Sequence, residues 1–331
     1  MNWVSRKNLN CWVAPLATTV IFLTPLIFLI PYATSYGSYK RPLATLILDL
    51  CKFGTSTHQN AALDYSYCLL VPPIVVYLIY LKKDEIAALP IKGSTGAGLA
   101  MLFLGIFVYW FGIRAEMQYY GYAAIQIFLA AIVIWFWGWA VFRKLLFPWG
   151  FFLFAWPMPF LDPIIALPLR LIMSEMAYRI LNLVGIPCLQ NGTGLLSAPD
   201  AAAGLLIGQR FHIDIADPCS GIRSLFALLM FSALFAYLFV PKFWQQWTLF
   251  LCAFPLAILG NLCRVLLLVF GCILFGNAFA LGTDDEPSAY HEGCGFVVYG
   301  VALGVEFLLA ELMTRYATRP KTTAMEKPLS A

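Results

Sequence analysis

A cysteine opens one of the long apolar runs of this chain. Residues 217–224 read Asp217-Pro218-Cys219-Ser220-Gly221-Ile222-Arg223-Ser224, and the run Leu225 to Val240 follows directly. In such a turn, backbone N–H groups and the nearby cation favour the thiolate, which is the nucleophilic form of the side chain. Arg264 stands within the next apolar run, and His291 shortly precedes the last one. A thiol, an imidazole and a guanidinium suffice for acyl transfer. The thiolate attacks a carbonyl, the imidazole moves the proton and the cation stabilises the oxyanion. Arginine suits the last role because it stays charged and donates from a rigid fork. Each residue also has a plainer reading. Cys219 could be a small buried residue in a capping turn, and His291 a solvated loop histidine, with His212 the competing imidazole because its segment leads straight to Cys219.

The elements that must position these groups follow from composition. The chain has 331 residues, 61% of them hydrophobic and 11% charged, with a mean hydropathy of +0.80. That much apolar surface cannot be hidden in a water-soluble core, so an all-α, polytopic transmembrane helical bundle is expected. Apolar runs at 11–33, 65–81, 98–113, 122–142, 145–160, 221–240, 243–275 and 295–316 make about eight spans the simplest count. The first apolar segment reads as a retained anchor, because no cleavage-site pattern accompanies it. With the N-terminus inside, Arg6, Lys82, Lys83, Lys92, Arg143, Lys144, Lys242 and Arg315 fall on the cytoplasmic side, as positive-inside bias requires. Both termini are then cytoplasmic, and the Cys219 turn faces the extracytoplasmic side. The net charge of +4 is accounted for by these loops and implies no nucleic acid. The nine cysteines contain no CxxC pair, so a disulfide framework is not indicated. Cys188 and Cys294 are a pair that could meet outside the membrane and form a disulfide.

The stretch 161–218 interrupts the membrane pattern with charges and turns. From Pro163 to Ile186, the residues Ile164, Leu167, Leu171, Met176, Ile180 and Leu183 make one broad apolar side, which suits an amphipathic helix at the interface. Asn191-Gly192 is a turn signal, and His212-Ile213-Asp214-Ile215 alternates polar with apolar. A small β-hairpin insert leading to the cysteine turn is therefore expected. The run 243–275 exceeds one crossing, since ~20 residues at ~1.5 Å each span the hydrocarbon layer. Counting outward from Trp244 brings Arg264 to the outer interface, with Val265 to Phe275 projecting beyond it to pack beneath the amphipathic helix. An arginine at that depth is by default a functional hypothesis.

Asp217-Pro218-Cys219-Ser220-Gly221-Ile222-Arg223-Ser224-Leu225, Asn261-Leu262-Cys263-Arg264-Val265 and His291-Glu292 followed by Gly295 resemble, in order and spacing, the three signature blocks of the exosortase/archaeosortase family. The resemblance covers roughly residues 150–316. It divides the chain into N-terminal transmembrane helices (1–149), a catalytic core (150–316) and a basic cytoplasmic tail (317–331). It implies a multipass cysteine transpeptidase in a prokaryotic cytoplasmic membrane. Such an enzyme cleaves exported proteins at a C-terminal signal made of a short motif, a transmembrane helix and a basic tail, and passes the new carboxyl end to an acceptor. Carried over, Cys219 is the nucleophile, Arg264 the transition-state cation and His291 the acid/base. Arg223, Ser220, Gly221 and Asn261 are supporting residues, and neither a cofactor nor a metal is implied.

Two other classes compete. A multipass transporter of a small anionic solute would use Arg264 as its anion site, with Pro255 and Gly260 breaking the helix beside it, but no internal repeat is visible. A metalloenzyme would use Cys219, His212, His291 and Cys294, of which only His291 and Cys294 have a ligand-like interval.

Overall fold

The computed structural model describes residues 15, 17–33, 40–51, 66–157, 161, 164–165, 167–215, 222–282 and 288–318. The chain forms two compact units, Met1–Pro159 and Phe160–Ala331; residues 150–159, assigned from sequence to the catalytic core, fall in the first.

The first unit is built around a hairpin of long helices. Helix α1 (Ala17–Leu29) ends in a π-turn and leads into a short antiparallel pair, β1 (Pro31–Ala33) and β2 (Lys40–Pro42). There follow α2 (Leu43–Cys51), α3 (Val71–Leu81), α4 (Lys83–Ala87), α5 (Thr95–Ala115), α6 (Gln118–Lys144) and α7 (Leu146–Phe151). Gly98, Gly105 and Gly112 repeat every seventh residue of α5 and are all buried. A Cβ on each would strike Trp135, the Phe128 ring, and Tyr32 with Tyr120, respectively. Small residues on one stripe thus let α6 approach closely, which is how helices associate where lipid removes the hydrophobic drive.

Helix α6 breaks at Gly138, whose φ of 84° leaves the helical region. In a continuous helix, the Ile134 carbonyl would accept from residue 138. Here it accepts instead from the Ser94 N–H at 3.1 Å, so the break leaves no orphan acceptor in an apolar setting. A Cβ at Gly138 would collide with the Lys92 carbonyl, so this close approach requires glycine. At the same end, Glu85 bonds both Lys82 (2.9 Å) and Lys144 (2.8 Å), and these cations hold its carboxyl down at about 2.

The expected crossing at 145–160 is much shorter. Helix α7 and a 3-10 turn, Phe152–Ala155, are followed by Trp156 and Pro157, where the helix stops. Proline disfavours helix in the residue before it. Buried Gln126 of α6 secures this piece: its amide donates to the Trp149 carbonyl, Trp149 Nε1 returns a bond to the Gln126 carbonyl (2.9 Å), and Trp156 Nε1 donates to Gln126 Oε1 (3.1 Å).

The second unit begins with the expected amphipathic helix, α8 (Leu167–Leu183). Gly185, at φ 84°, ends it, and the Ile186 N–H turns back to the Leu181 carbonyl at 2.9 Å, as in a Schellman-type terminus. Three strands follow, β3 (Cys188–Asn191), β4 (Gly194–Ser197) and β5 (His212–Asp214), all antiparallel in that order. The expected hairpin is present, but its tight turn is Gly192-Thr193, with Gly192 at φ 61°. A third strand covers the free edge of β4, which would otherwise expose a row of unpaired backbone groups. Ile213 is buried and His212 exposed, as the alternation requires.

Four helices complete the unit: α9 (Ile222–Phe239), α10 (Phe243–Phe275), α11 (Asn277–Ala280) and α12 (Ala289–Thr318). The C-terminal half of α10 does pack beneath the insert. Leu262, Val265, Leu268, Val269 and Cys272 share one core with Ala177 and Leu181 of α8 and with Leu195, Phe211, Ile213 and Ile215 around the sheet. The other half of the bundle is tied by polar bonds. Ser232 donates to the Leu249 carbonyl (3.1 Å), Gln245 to that of Met313 (3.2 Å) and Thr314 to that of Phe239 (3.1 Å).

Among the described residues, α5, α6, α10 and α12 are long and apolar enough to cross a membrane. Four shorter apolar helices, Ala17–Leu29, Tyr67–Leu81, Leu146–Ala155 and Leu225–Phe239, stand where the remaining crossings are expected.

Replacing Gly105 with leucine should destabilise the first unit by about 1–3 kcal/mol through overpacking against Phe128. Gly96→Leu, where nothing lies within 4 Å, should leave the thermal transition in detergent unchanged.

Candidate active site

The N-terminal turn of α12 fixes the imidazole. Ser288 is the N-cap: its hydroxyl accepts from the His291 N–H (3.0 Å) and its carbonyl from the Glu292 N–H (3.0 Å). The same hydroxyl donates to the Ala280 carbonyl (3.0 Å), while the Ser288 N–H donates to that of Leu281 (3.1 Å). The cap is thereby bound to α11. His291 is 5% exposed, and its ring bonds the Leu281 carbonyl. Tyr290 seats this turn on α10. Its hydroxyl donates to the Leu267 carbonyl at 2.9 Å, and its ring lies on Gly271, where a Cβ would come within 2.5 Å of Cε1.

Arg264 projects from α10 toward the same turn. Its guanidinium lies over Gly295, one helical turn beyond His291, where an added Cβ would be 3.2 Å from Arg264 Cζ. The charge of Arg264 acts on His291. Two of the three expected catalytic residues are therefore brought together from helices that are distant in sequence. Asn261, one turn before Arg264, is buried, and its amide contacts Met173 Sδ at 2.9 Å. It couples α8 to the helix that carries the cation.

Cys219, Ser220 and Gly221 lie outside the described residues, as does the side chain of Arg223. Helix α9 begins at Ile222 and packs against both α10 and α12. His212, the rival imidazole, is an exposed residue of β5. Among the described residues, no three His, Cys, Asp or Glu side chains gather in a metal-binding group.

Cys188 and Cys294, the pair considered for a disulfide, share one buried core, but both are free thiols. The Cys188 sulfur is engaged locally, by the Asn182 amide at 3.3 Å and the Tyr178 carbonyl at 3.8 Å. Burial pushes its thiol up from the ordinary range.

A small cavity of about 20 Å³ opens beside Arg264, among α9, α10 and α12. Ser288, Tyr290 and Gly271 were not singled out by the sequence reading. A capping serine three residues before His291 is a readable signal, whereas the Tyr290–Gly271 fit joins two helices and has none.

The arrangement offers a cation and an imidazole, held by separate helices, beside a cavity. The family model of the transmembrane exosortase matches residues 59–308. A search of curated proteins and one of solved structures each find no match. The matched stretch starts well before residue 150, so the family pattern reaches into the N-terminal helices that the signature blocks leave out. Covering most of a chain whose described part already joins Arg264 to His291, the match makes this a multipass membrane protein of the transmembrane exosortase family.

Proposed function

We propose that this chain is a membrane-embedded cysteine transpeptidase that cleaves C-terminal sorting signals of exported proteins through a thioester and passes the new carboxyl end to an acceptor. The observation that carries this reading is the Arg264 guanidinium seated on Gly295 beside His291, in a bundle whose α9 begins three residues after Cys219.

In the first step, His291 takes the proton of the Cys219 thiol and the thiolate adds to the scissile carbonyl carbon. Arg264 neutralises the oxyanion. Collapse breaks the C–N bond, and the imidazolium returns its proton to the leaving amine. The thioester is then attacked by the acceptor or by water, from which His291 removes the proton; the thiolate leaves and is reprotonated. Arg223, Ser220 and Gly221 shape the cysteine turn, and Asn261 holds α10 in place for Arg264.

The chemistry belongs on the extracytoplasmic side of a prokaryotic cytoplasmic membrane, with both termini inside. The substrate's transmembrane helix and the enzyme's helix ends share one interface, so depth alone brings the scissile bond to the site. The solute-transport reading has no comparable support, because Arg264 is set beside an imidazole and a seat of glycine.

Co-expression with a protein bearing a sorting signal, read by intact mass, tests the assignment. Cys219→Ala should abolish processing. Arg264→Lys should lower the rate by about 10²–10³, the usual loss when an oxyanion donor is removed, and His291→Gln should be similarly impaired. Normal processing by Cys219→Ala would sink the thiol mechanism.

Gly295→Val should displace the guanidinium and slow processing while the thermal transition holds. Loss of folding with no separable kinetic effect would count against a catalytic role for that contact. Alkylation at neutral pH should mark Cys219 ahead of Cys188, whose thiol is buried and raised. Peptide mapping that finds Cys188 modified first would contradict an activated Cys219.

A further inference from the structure

A protein interior needs room of about 10–15 Å³ to admit one water molecule, and the cavity beside Arg264 offers about 20 Å³. Three polar side chains line it, Arg264 and Asn261 from α10 and Tyr299 from α12, with Ala257 and Ala302 leaving the space between them. Tyr299 stands one helical turn after Gly295, on which the guanidinium is seated. The hydroxyl and the cation therefore reach one small space from two helices. Asn261 is buried, with its amide nitrogen turned to Met173. The Tyr299 hydroxyl is itself buried and makes no hydrogen bond to any described residue. Glu306, two turns further along α12 and fully buried, is not its partner, since neither carboxyl oxygen is bonded to Tyr299. A buried hydroxyl is costly to leave unpaired, and such groups are satisfied by protein or by ordered water.

We propose that the cavity binds one water, which joins the Tyr299 hydroxyl to the Arg264 guanidinium with the Asn261 amide as third partner. Tyr299 is thereby a positioning residue for the cation, a role that rests on the transpeptidase reading above and adds a residue to it. Three partners are the usual complement of a buried water. A guanidinium only donates, whereas water and a hydroxyl both donate and accept. The water oxygen thus accepts from an Arg264 N–H, and its hydrogens serve the Tyr299 oxygen and the Asn261 carbonyl oxygen. The Gly295 seat supports one face of the guanidinium, and the water fixes its rotation on that seat. Its remaining N–H groups are then held at the oxyanion, where a donor must be aligned before the charge develops.

Tyr299→Phe keeps the ring and removes the hydroxyl. With purified full-length enzyme in detergent and a sorting-signal peptide, it should lower kcat about three- to tenfold, the size of one lost hydrogen bond. KM and the thermal transition should hold, because the oxyanion exists only in the transition state. In an Arg264→Ala background the same exchange should cost nothing further, since the hydroxyl acts through the guanidinium. A structure of the wild-type enzyme fine enough to show waters should place one within hydrogen-bond distance of both Tyr299 Oη and Arg264. A dry cavity refutes the proposal. So does a Tyr299→Phe enzyme with wild-type kcat, or an equal loss in the two backgrounds, which would mark the hydroxyl as merely structural. If the wild type processes no peptide but the water is seen, the transpeptidase reading and the positioning role fail while the water site stands.

Discussion

A guanidinium at the end of an apolar helix bundle is stable only where it meets polar groups or charge complementarity, and Arg264 sets that requirement for everything around it. Its long stem reaches across to α12, where the absence of a side chain at Gly295 gives the planar head a seat. Beyond it, α10 does not end but continues for three turns under α8 and the three-stranded sheet. This buried continuation makes α10 a rigid post, so the position of Arg264 is fixed by packing at both ends of the helix.

Each half of the second unit has its own means of holding position. Away from the cap, Ser232, Gln245 and Thr314 donate to main-chain carbonyls of neighbouring helices. Such bonds hold helices where burial of apolar surface gives no preference over lipid. Toward the cap, the clamp is a continuous apolar core, and α12 enters it through Tyr290 on Gly271 and through the Ser288 cap. His291 inherits its place from these contacts. The placement of His291 beside Arg264 thus depends on the junction between the apolar helix bundle and the core under the sheet. In the first unit, the same demand for internal satisfaction is met at Gln126 and at the Ile134 carbonyl.

Much of this was legible in the chain. The excess length of 243–275, measured against bilayer thickness, led to the expectation that the part of α10 beyond Arg264 packs beneath α8, and it does. The alternation at His212–Ile215 also appears as expected, whereas α8 forms over the expected stretch but buries Met173, Ser174, Ala177 and Leu181 and leaves Leu167, Leu171 and Leu183 exposed. At 145–160 the helix is shorter than its apolar run, because hydropathy continues through Trp156 to Phe160 whereas the helix stops at a proline and Trp156 bonds Gln126. That the insert has three strands and not two was not legible, because β5, readable from its alternation, pairs with β4 across a long loop. The thiols Cys188 and Cys294 do share a core, but spacing along the chain says nothing of sulfur orientation, and both are free.

By itself, the amino-acid sequence determined the class of the molecule, the residue types able to carry acyl transfer and the excess length of the helix that bears Arg264. Those properties depend on local composition and on the rise of a helix against a layer of fixed thickness. Which imidazole meets the arginine was decided only by tertiary structure. His212 and His291 both precede plausible site elements, yet one lies exposed on a strand while the other is buried against α11 within the field of Arg264. The choice rests on how α12 docks on α10, through glycines at 271 and 295 that receive Tyr290 and Arg264. Shape matching between two helices is not written in either helix alone.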